Sequence, residues 1–486
     1  MTRYTVSKLR PAWRWFALAC FLALLGRPAQ AFPIFARKYE TSCQTCHTVF
    51  PKLNPFGQAF RLNGYRMPKE TEEMIKARQL PMGAEAYKRL WPMAVWPNEI
   101  PGSAPLAVNI KAEVVNQTQV DPSTGQKSVT NNDFQFPQEV NLFAAGTLGE
   151  HLSAMAELTH AENADGSSGV EIEHARLDFD SFVGPEHLFN LRIGKFAPNL
   201  YDGFQEMWIS TDNGIDTLFT YNPVGLHGGN SLGDDSVANA SLPARVRGIE
   251  LYGVAQHRFF YTLGVATHLG PGGQTLTPGN STTPASTSSN GNFGNNASKD
   301  FYWRFDYKFG GMGLDGDTEG VIMPPENWRE NSFRVGVLGL TGNGKNIWTP
   351  MVDDAGGNIL MVDSRYNRAG LFASWMWGDL NIFGADIVGT DRLQTWDPSG
   401  TTLQNQTSYT YNAGFVMADY VFTPAFHSSL RLERLKVGDA SVRPFRFVNA
   451  SLTYLVAVNL KTMVEWRRDL NQSQNQSLNA VLRLAF

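Results

Sequence analysis

Two thiols and an imidazole stand in one short run, Cys43-Gln44-Thr45-Cys46-His47. At this spacing two cysteines can add to the two vinyl groups of a porphyrin, and the next histidine can place its imidazole on the iron, which is the attachment chemistry of c-type haem. Zinc would need a fourth ligand, and the chain has no second cysteine pair to supply one. A thioredoxin-like redox pair would sit beside a βαβ pattern, which is missing. Aromatic and proline residues surround the motif: Phe35 before it, then Phe50, Phe56 and Phe60, with Pro51 and Pro55 between them. They suit the cover of a flat apolar ring, yet about 40 residues cannot bury a haem alone.

His47 is the axial ligand on one side of the iron, and the ligand on the other side sets the redox role, since a Met thioether raises the potential. Met67, just before Pro68, is the first candidate, and Met93 the second. A histidine of the rest of the chain, or water, stays equally open.

The elements that must hold this segment follow from the rest of the 486 residues. Residues 1–31 have a basic start, an apolar run from Trp15 to Leu25 and the small-residue end Ala29-Gln30-Ala31, a secretory signal peptide. The leader takes away Cys20, five basic residues and no acidic one, so the charge moves from −4 to −9. An acidic exported chain without a basic stripe is a poor partner for nucleic acid. Residues 32–68 form the haem segment, 69–105 a proline-interrupted linker, and 106–486 alternate with period two. Val108, Ile110, Ala112 and Val114 share one face and Asn109, Lys111 and Glu113 the other, as in a strand between lipid and a wet lumen. Charged residues are only 18%, below the usual ~25%, and beyond the leader no apolar run is long enough for a spanning helix.

The alternation predicts an all-β fold: a 16-stranded antiparallel transmembrane barrel, porin-like, with the haem segment plugging its lumen. The strands begin near Leu106, with Pro137 starting the second and Ser477 the last, and the chain ends on an alternating strand closed by Phe486. Sixteen is even, as bacterial barrels require. With a periplasmic N-terminus, gaps after odd strands should be long external loops and gaps after even strands tight turns, and most gaps comply. One does not: Gly310 to Asn331 follows an even strand. It contains Asp315, Asp317, Glu319 and, at the twelfth position, Glu326, close to an EF-hand calcium loop except that Glu319 replaces Asp or Asn. A plain acidic loop is the simpler expectation; calcium held by these four, or a docking surface for a periplasmic electron carrier, are the sharper ones. The segment from Pro198 to Arg245 carries Trp208, Phe219, Tyr221, Asp234 and Asp235 and suits either an inward constriction or an external hairpin. Leu269 to Asn296 is a polar external loop. His151, His160, His174, His187, His227, His257, His268 and His427 form no metal triad and are given no chemistry.

The run Phe32-Pro33-Ile34-Phe35-Ala36-Arg37, the Cys-x-x-Cys-His motif, Phe50-Pro51-Lys52-Leu53-Asn54-Pro55-Phe56-Gly57 and Asn63-Gly64-Tyr65, ahead of a barrel of this size, resemble the fused monohaem cytochrome-porins of iron-oxidising bacteria. Glu40 departs from the family's usual Gly. The resemblance implies an outer-membrane iron oxidase that takes electrons from extracellular Fe(II) and passes them through one covalent haem c to a periplasmic c-type cytochrome or blue-copper carrier. Cys43, Cys46 and His47 carry over; Met67 does not. Large porins often trimerise, so a homotrimer is compatible, although no interface is legible. Three other functions share the architecture: electron exit to external acceptors, which a second His ligand would favour; a porin whose haem segment is a redox-sensing plug; and a structural barrel with a vestigial motif.

Overall fold

In the stretch 300–309, Asp300, Tyr302, Arg304, Asp306 and Lys308 are buried, while Phe301, Trp303, Phe305, Tyr307 and Phe309 are exposed. Asp300 is 0% exposed and Phe301 55%. An ionic residue inside and an aromatic outside is the inverse of a water-soluble sandwich, and it is stable only where lipid wets the outer face.

The computed structural model describes residues 34–39, 41–68, 80–81, 99–100, 106–120, 126–148, 151–162, 168–201, 209–219, 242–267, 299–349, 360–396, 402–439 and 443–486. The leader, Glu40, most of the linker with Met93, the loop around Leu269 to Asn296, and Trp208, Tyr221, Asp234 and Asp235 lie outside the described residues.

Sixteen strands close into one barrel, each antiparallel to its neighbours. They are β1 (Leu106–Val120), β2 (Lys127–Thr147), β3 (Leu152–Glu162), β4 (Ser168–Phe179), β5 (Asn190–Phe196), β6 (Val246–Ala255), β7 (Phe259–Thr267) and β8 (Lys299–Gly310). Then follow β9 (Glu330–Thr349), β10 (Leu360–Gly378), β11 (Leu380–Trp396), β12 (Leu403–Thr423), β13 (Phe426–Val437), β14 (Phe445–Ala457), β15 (Leu460–Asp469) and β16 (Gln476–Ala485). β16 pairs with β1 from Gln476↔Thr118 to Ala485↔Asn109, and Phe486 exchanges both backbone hydrogen bonds with Val108. Closure is obligatory in lipid, where an open edge would leave a row of unsatisfied N–H and C=O groups.

The expected count and alternation hold, with one boundary corrected. β2 starts at Lys127 rather than Pro137, because the polar run before Phe136 continues the ladder past two register shifts against β1. That run has the composition of a loop, and pairing overrides it. Tight links follow even strands, as at Asp379 and at 424–425, whereas 197–245 and 268–298 follow odd ones. Near the short-turn rim, Trp375 and Trp377 are exposed and stacked at 5.9 Å, part of an interfacial aromatic girdle.

Among the described residues two segments enter the lumen. Residues 197–201, 209–219 and 242–245 fold inward, burying Leu200, Tyr201, Ile209, Ile215, Leu218 and Leu242. Polar ties to the wall hold them, including Asp212 N–H on Glu465 at 2.6 Å, Thr217 on Glu433 and Lys111 on Asp212 at 2.7 Å. The described parts of this segment, 198–201, 209–219 and 242–245, take the inward form. The second segment is the N-terminal one.

Candidate haem site

The motif is shaped by Asn54. Its backbone N–H donates to Cys46 O. Its side-chain Nδ2 donates to Gln44 O and Thr45 O, both at 3.1 Å, and its Oδ1 accepts the Gly57 N–H at 2.8 Å, capping the helix α1 (Pro55–Leu62). One buried side chain thus ties the thiol loop to the next helix. Gly57 is required where they touch, since a Cβ there would lie 2.0 Å from Cys46 O.

His47 Nδ1 lies 3.1 Å from Pro51 O. As the Nδ1–H tautomer it donates there, which fixes the ring and leaves Nε2 as the ligating nitrogen. Burial lowers the imidazole to about 4, with hydrogen bonds from the Pro51 and Lys52 backbone opposing. The ring is therefore neutral at ordinary pH, as a metal ligand must be. Burial pushes the Cys46 thiol up to about 12, with Cys43 beside it adding to the rise, and raises Cys43 as well. Both cysteines are free of any disulfide, so neither thiol is consumed by a bridge.

Cys43, Cys46 and His47 line one cavity of about 280 Å³. Phe35, Tyr39, Phe50, Phe60, Tyr65 and Met67 line it from the segment. Phe35 stacks on Tyr65 at 4.7 Å, and Phe60 meets Phe35, Tyr39 and Tyr65 edge-on. Phe56 is not on the lining; it packs behind, against the Tyr39, Phe60 and Tyr65 cluster. The far wall belongs to the barrel: Asn109, Phe143, Met155, Glu157, His174 and Arg483. An apolar slot lined by two free thiols, an oriented imidazole and the cations Arg61 and Arg483 fits a haem with its anionic propionates.

The segment's ties fall along the short-turn rim. Arg66 pairs with Asp180 at 2.9 Å and donates to Leu152 O at 2.8 Å. Lys52 donates to Asn381 at 2.8 Å and pairs with Asp419, whose other oxygen accepts from Ser210 of the inward segment at 2.8 Å. Lys461 donates to Phe50 O at 3.0 Å and Gln44 to Pro424 O at 3.0 Å. Gly64, with a φ of +61°, brings its backbone so near Asp180 that a Cβ would meet the carboxylate at 1.7 Å.

The long even gap also closes on this segment. Asn63 donates to Asp315 O at 2.9 Å, Asn327 to Thr45 O at 3.2 Å, and Leu314 packs with Leu62. Arg329 clamps the gap to Asp379 through two hydrogen bonds of 2.7 and 3.1 Å. Asp315 is 2.6 Å from His257, and Glu326 pairs with Arg329 at 3.1 Å. Among the described residues no three His, Cys, Asp or Glu gather as a metal site, so the structure does not bring Asp315, Asp317, Glu319 and Glu326 together.

The class this defines is a porin-like outer-membrane barrel of sixteen strands, with apolar residues toward lipid and its lumen entered by two segments of the same chain. Among solved structures it is similar to an anion-selective porin from Comamonas acidovorans, at 12% identity over 79% of this chain and 99% of that one, with a TM-score of 0.46. It is also similar to OmpF of Salmonella typhi, at 10% over 78% and 97% with a TM-score of 0.46, and to the channel DcaP of Acinetobacter baumannii, at 10% over 78% and 96% with 0.43. No family model and no curated protein matches the chain. The barrel assignment stands on its own closed ring of strands.

Proposed function

We propose that this chain is an outer-membrane electron-transfer cytochrome, an iron oxidase that takes one electron from each extracellular Fe(II), leaving Fe(III) outside, and reduces a periplasmic c-type cytochrome or blue-copper carrier. The observation that supports it is the shared cavity, in which Cys43, Cys46 and His47 meet the barrel's own lumen wall. Bound there, a haem supplies a one-electron carrier inside the membrane-spanning ring. The chain's residues do the rest: the two cysteines bind, His47 orients, the aromatic cover excludes water, and Lys52, Arg66 and Lys461 hold the segment at the rim of short turns. That rim faces the periplasm in barrels of this kind, which suits delivery to a periplasmic carrier.

The test is rapid anaerobic mixing of the oxidised, haem-loaded protein with ferrous iron at acidic pH, following the haem absorption bands. Fast reduction is expected. Reduction by dithionite but not by iron would refute the iron donor. Electron exit to external acceptors is kept as a second reading because a wall histidine, His174, lines the same cavity, and a His ligand lowers the potential relative to Met.

A further inference from the structure

The barrel wall that lines the cavity breaks its alternation in the β3–β4 pair. Between β3 and β4, Glu157 faces His174 and the next pair is Leu158 with Ile172, so Glu173 is an extra residue. A bulge of this kind bends the strand and re-aims a side chain. Glu173 and His174 are consecutive yet both buried, at 7% and 5% exposure, whereas Ile172 is 53% exposed. In an unbroken strand one of the two would face lipid. Glu173 uses its inward position to pair with Arg245. His174 uses its own to line the cavity that also holds His47 and the two thiols.

The imidazole is oriented as a ligand would be. Its Nδ1 is 2.7 Å from an oxygen of Glu157, itself 4% exposed. Its Nε2 is buried without a hydrogen-bond partner. A buried polar nitrogen left unpaired carries a desolvation penalty, and a carboxylate on the opposite nitrogen is the usual support of a metal-bound histidine. Of the methionines of the same cavity, Met155 accepts from Tyr65 Oη at 3.4 Å, and Met67, packed against the cluster of Tyr39, Phe60 and Tyr65, is the competing ligand.

We propose that His174, a barrel-wall residue on the same cavity as His47, is the second ligand of the haem iron, with Glu157 as its positioning residue. The proposal rests on the haem reading of the Cys-x-x-Cys-His motif and not on the iron donor; a second imidazole lowers the potential relative to Met, so a two-imidazole haem moves the function toward the electron-exit reading. The proposal makes the ligand set complete only when the N-terminal segment is seated in the lumen, so the barrel takes part in the redox centre and is more than its container.

The full chain, haem-loaded and purified in detergent, is tested by electron paramagnetic resonance and near-infrared magnetic circular dichroism in the ferric state. A two-imidazole low-spin signature, without a sulfur-to-iron charge-transfer band, is expected. His174→Ala should keep its covalent haem but turn high-spin, with added imidazole restoring the low-spin form, while Met67→Ala keeps the parent spectrum. Glu157→Gln should stay low-spin with a shifted midpoint potential. A sulfur charge-transfer band in the parent chain, or loss of the low-spin form in Met67→Ala and not in His174→Ala, overturns the proposal. The parent spectrum decides alone if the His174 variant fails to assemble. A chain with no covalent haem, shown by haem staining after denaturation, would overturn the haem reading itself, and His174 with it.

Discussion

Replacing Asn54 by alanine should loosen the thiol loop more than any other single polar change in residues 41–68. Asn54 is 1% exposed and makes three side-chain hydrogen bonds, at 2.8, 3.1 and 3.1 Å. Loss of the helix cap costs about 1 kcal/mol, and each of the two bonds to carbonyls about 1 kcal/mol more. Thr45 O keeps a second donor in Asn327 at 3.2 Å, so the total stays near 3 kcal/mol. At about 1.4 kcal/mol per decade, the open fraction of the segment rises about 150-fold. Where opening and closing are fast relative to cleavage, proteolysis follows that fraction. The assay is therefore limited proteolysis of the detergent-solubilised, haem-loaded protein, following release of the N-terminal segment. Gln44→Ala, which loses an exposed bond to Pro424 O, is the control and should change the rate only a few-fold. An Asn54→Ala rate within about 3-fold of the parent would refute the claim that this side chain organises the loop.

Gly57→Ala should lower the yield of covalently attached haem, read by haem staining, because its Cβ would sit 2.0 Å from Cys46 O; an unchanged yield would mean that helix and loop can move apart freely. Burial, with the Asp178 charge next, raises the Asp180 carboxyl to about 6 against the pull of Arg66. The folded chain then binds this proton more tightly than the unfolded one, so the contribution to stability is greatest below about pH 4 and is lost as pH rises to about 6. Melting of the segment, followed by haem circular dichroism, should fall across that window in the parent and stay flatter in Asp180→Asn; equal slopes would contradict the assignment. In planar bilayers the chain should conduct far less than an open 16-stranded porin, whose lumen is an aqueous channel; ordinary porin conductance would favour the solute-porin reading.

Much of this molecule is legible without coordinates because the signals are local. A Cys-x-x-Cys-His run suggests a haem motif from five residues, and the structure adds that its thiols and imidazole line one cavity. Period-two alternation, repeated from Leu106 to Phe486, determines strand number and which face meets lipid, and loop length by parity orients the barrel. The start of β2 was misplaced for the same reason: composition is local, whereas pairing of the polar run from Lys127 depends on a partner strand already in place. Closure of the barrel decided the rest. It brought His174, which no spacing in the sequence marked, onto the cavity of His47 by way of a bulge at Glu173. It turned 209–219 inward onto Glu465 and Glu433, and set the long gap after β8 against Asn63 and Thr45. Such contacts join residues hundreds of positions apart, and only the three-dimensional register of a closed sheet determines which of them meet.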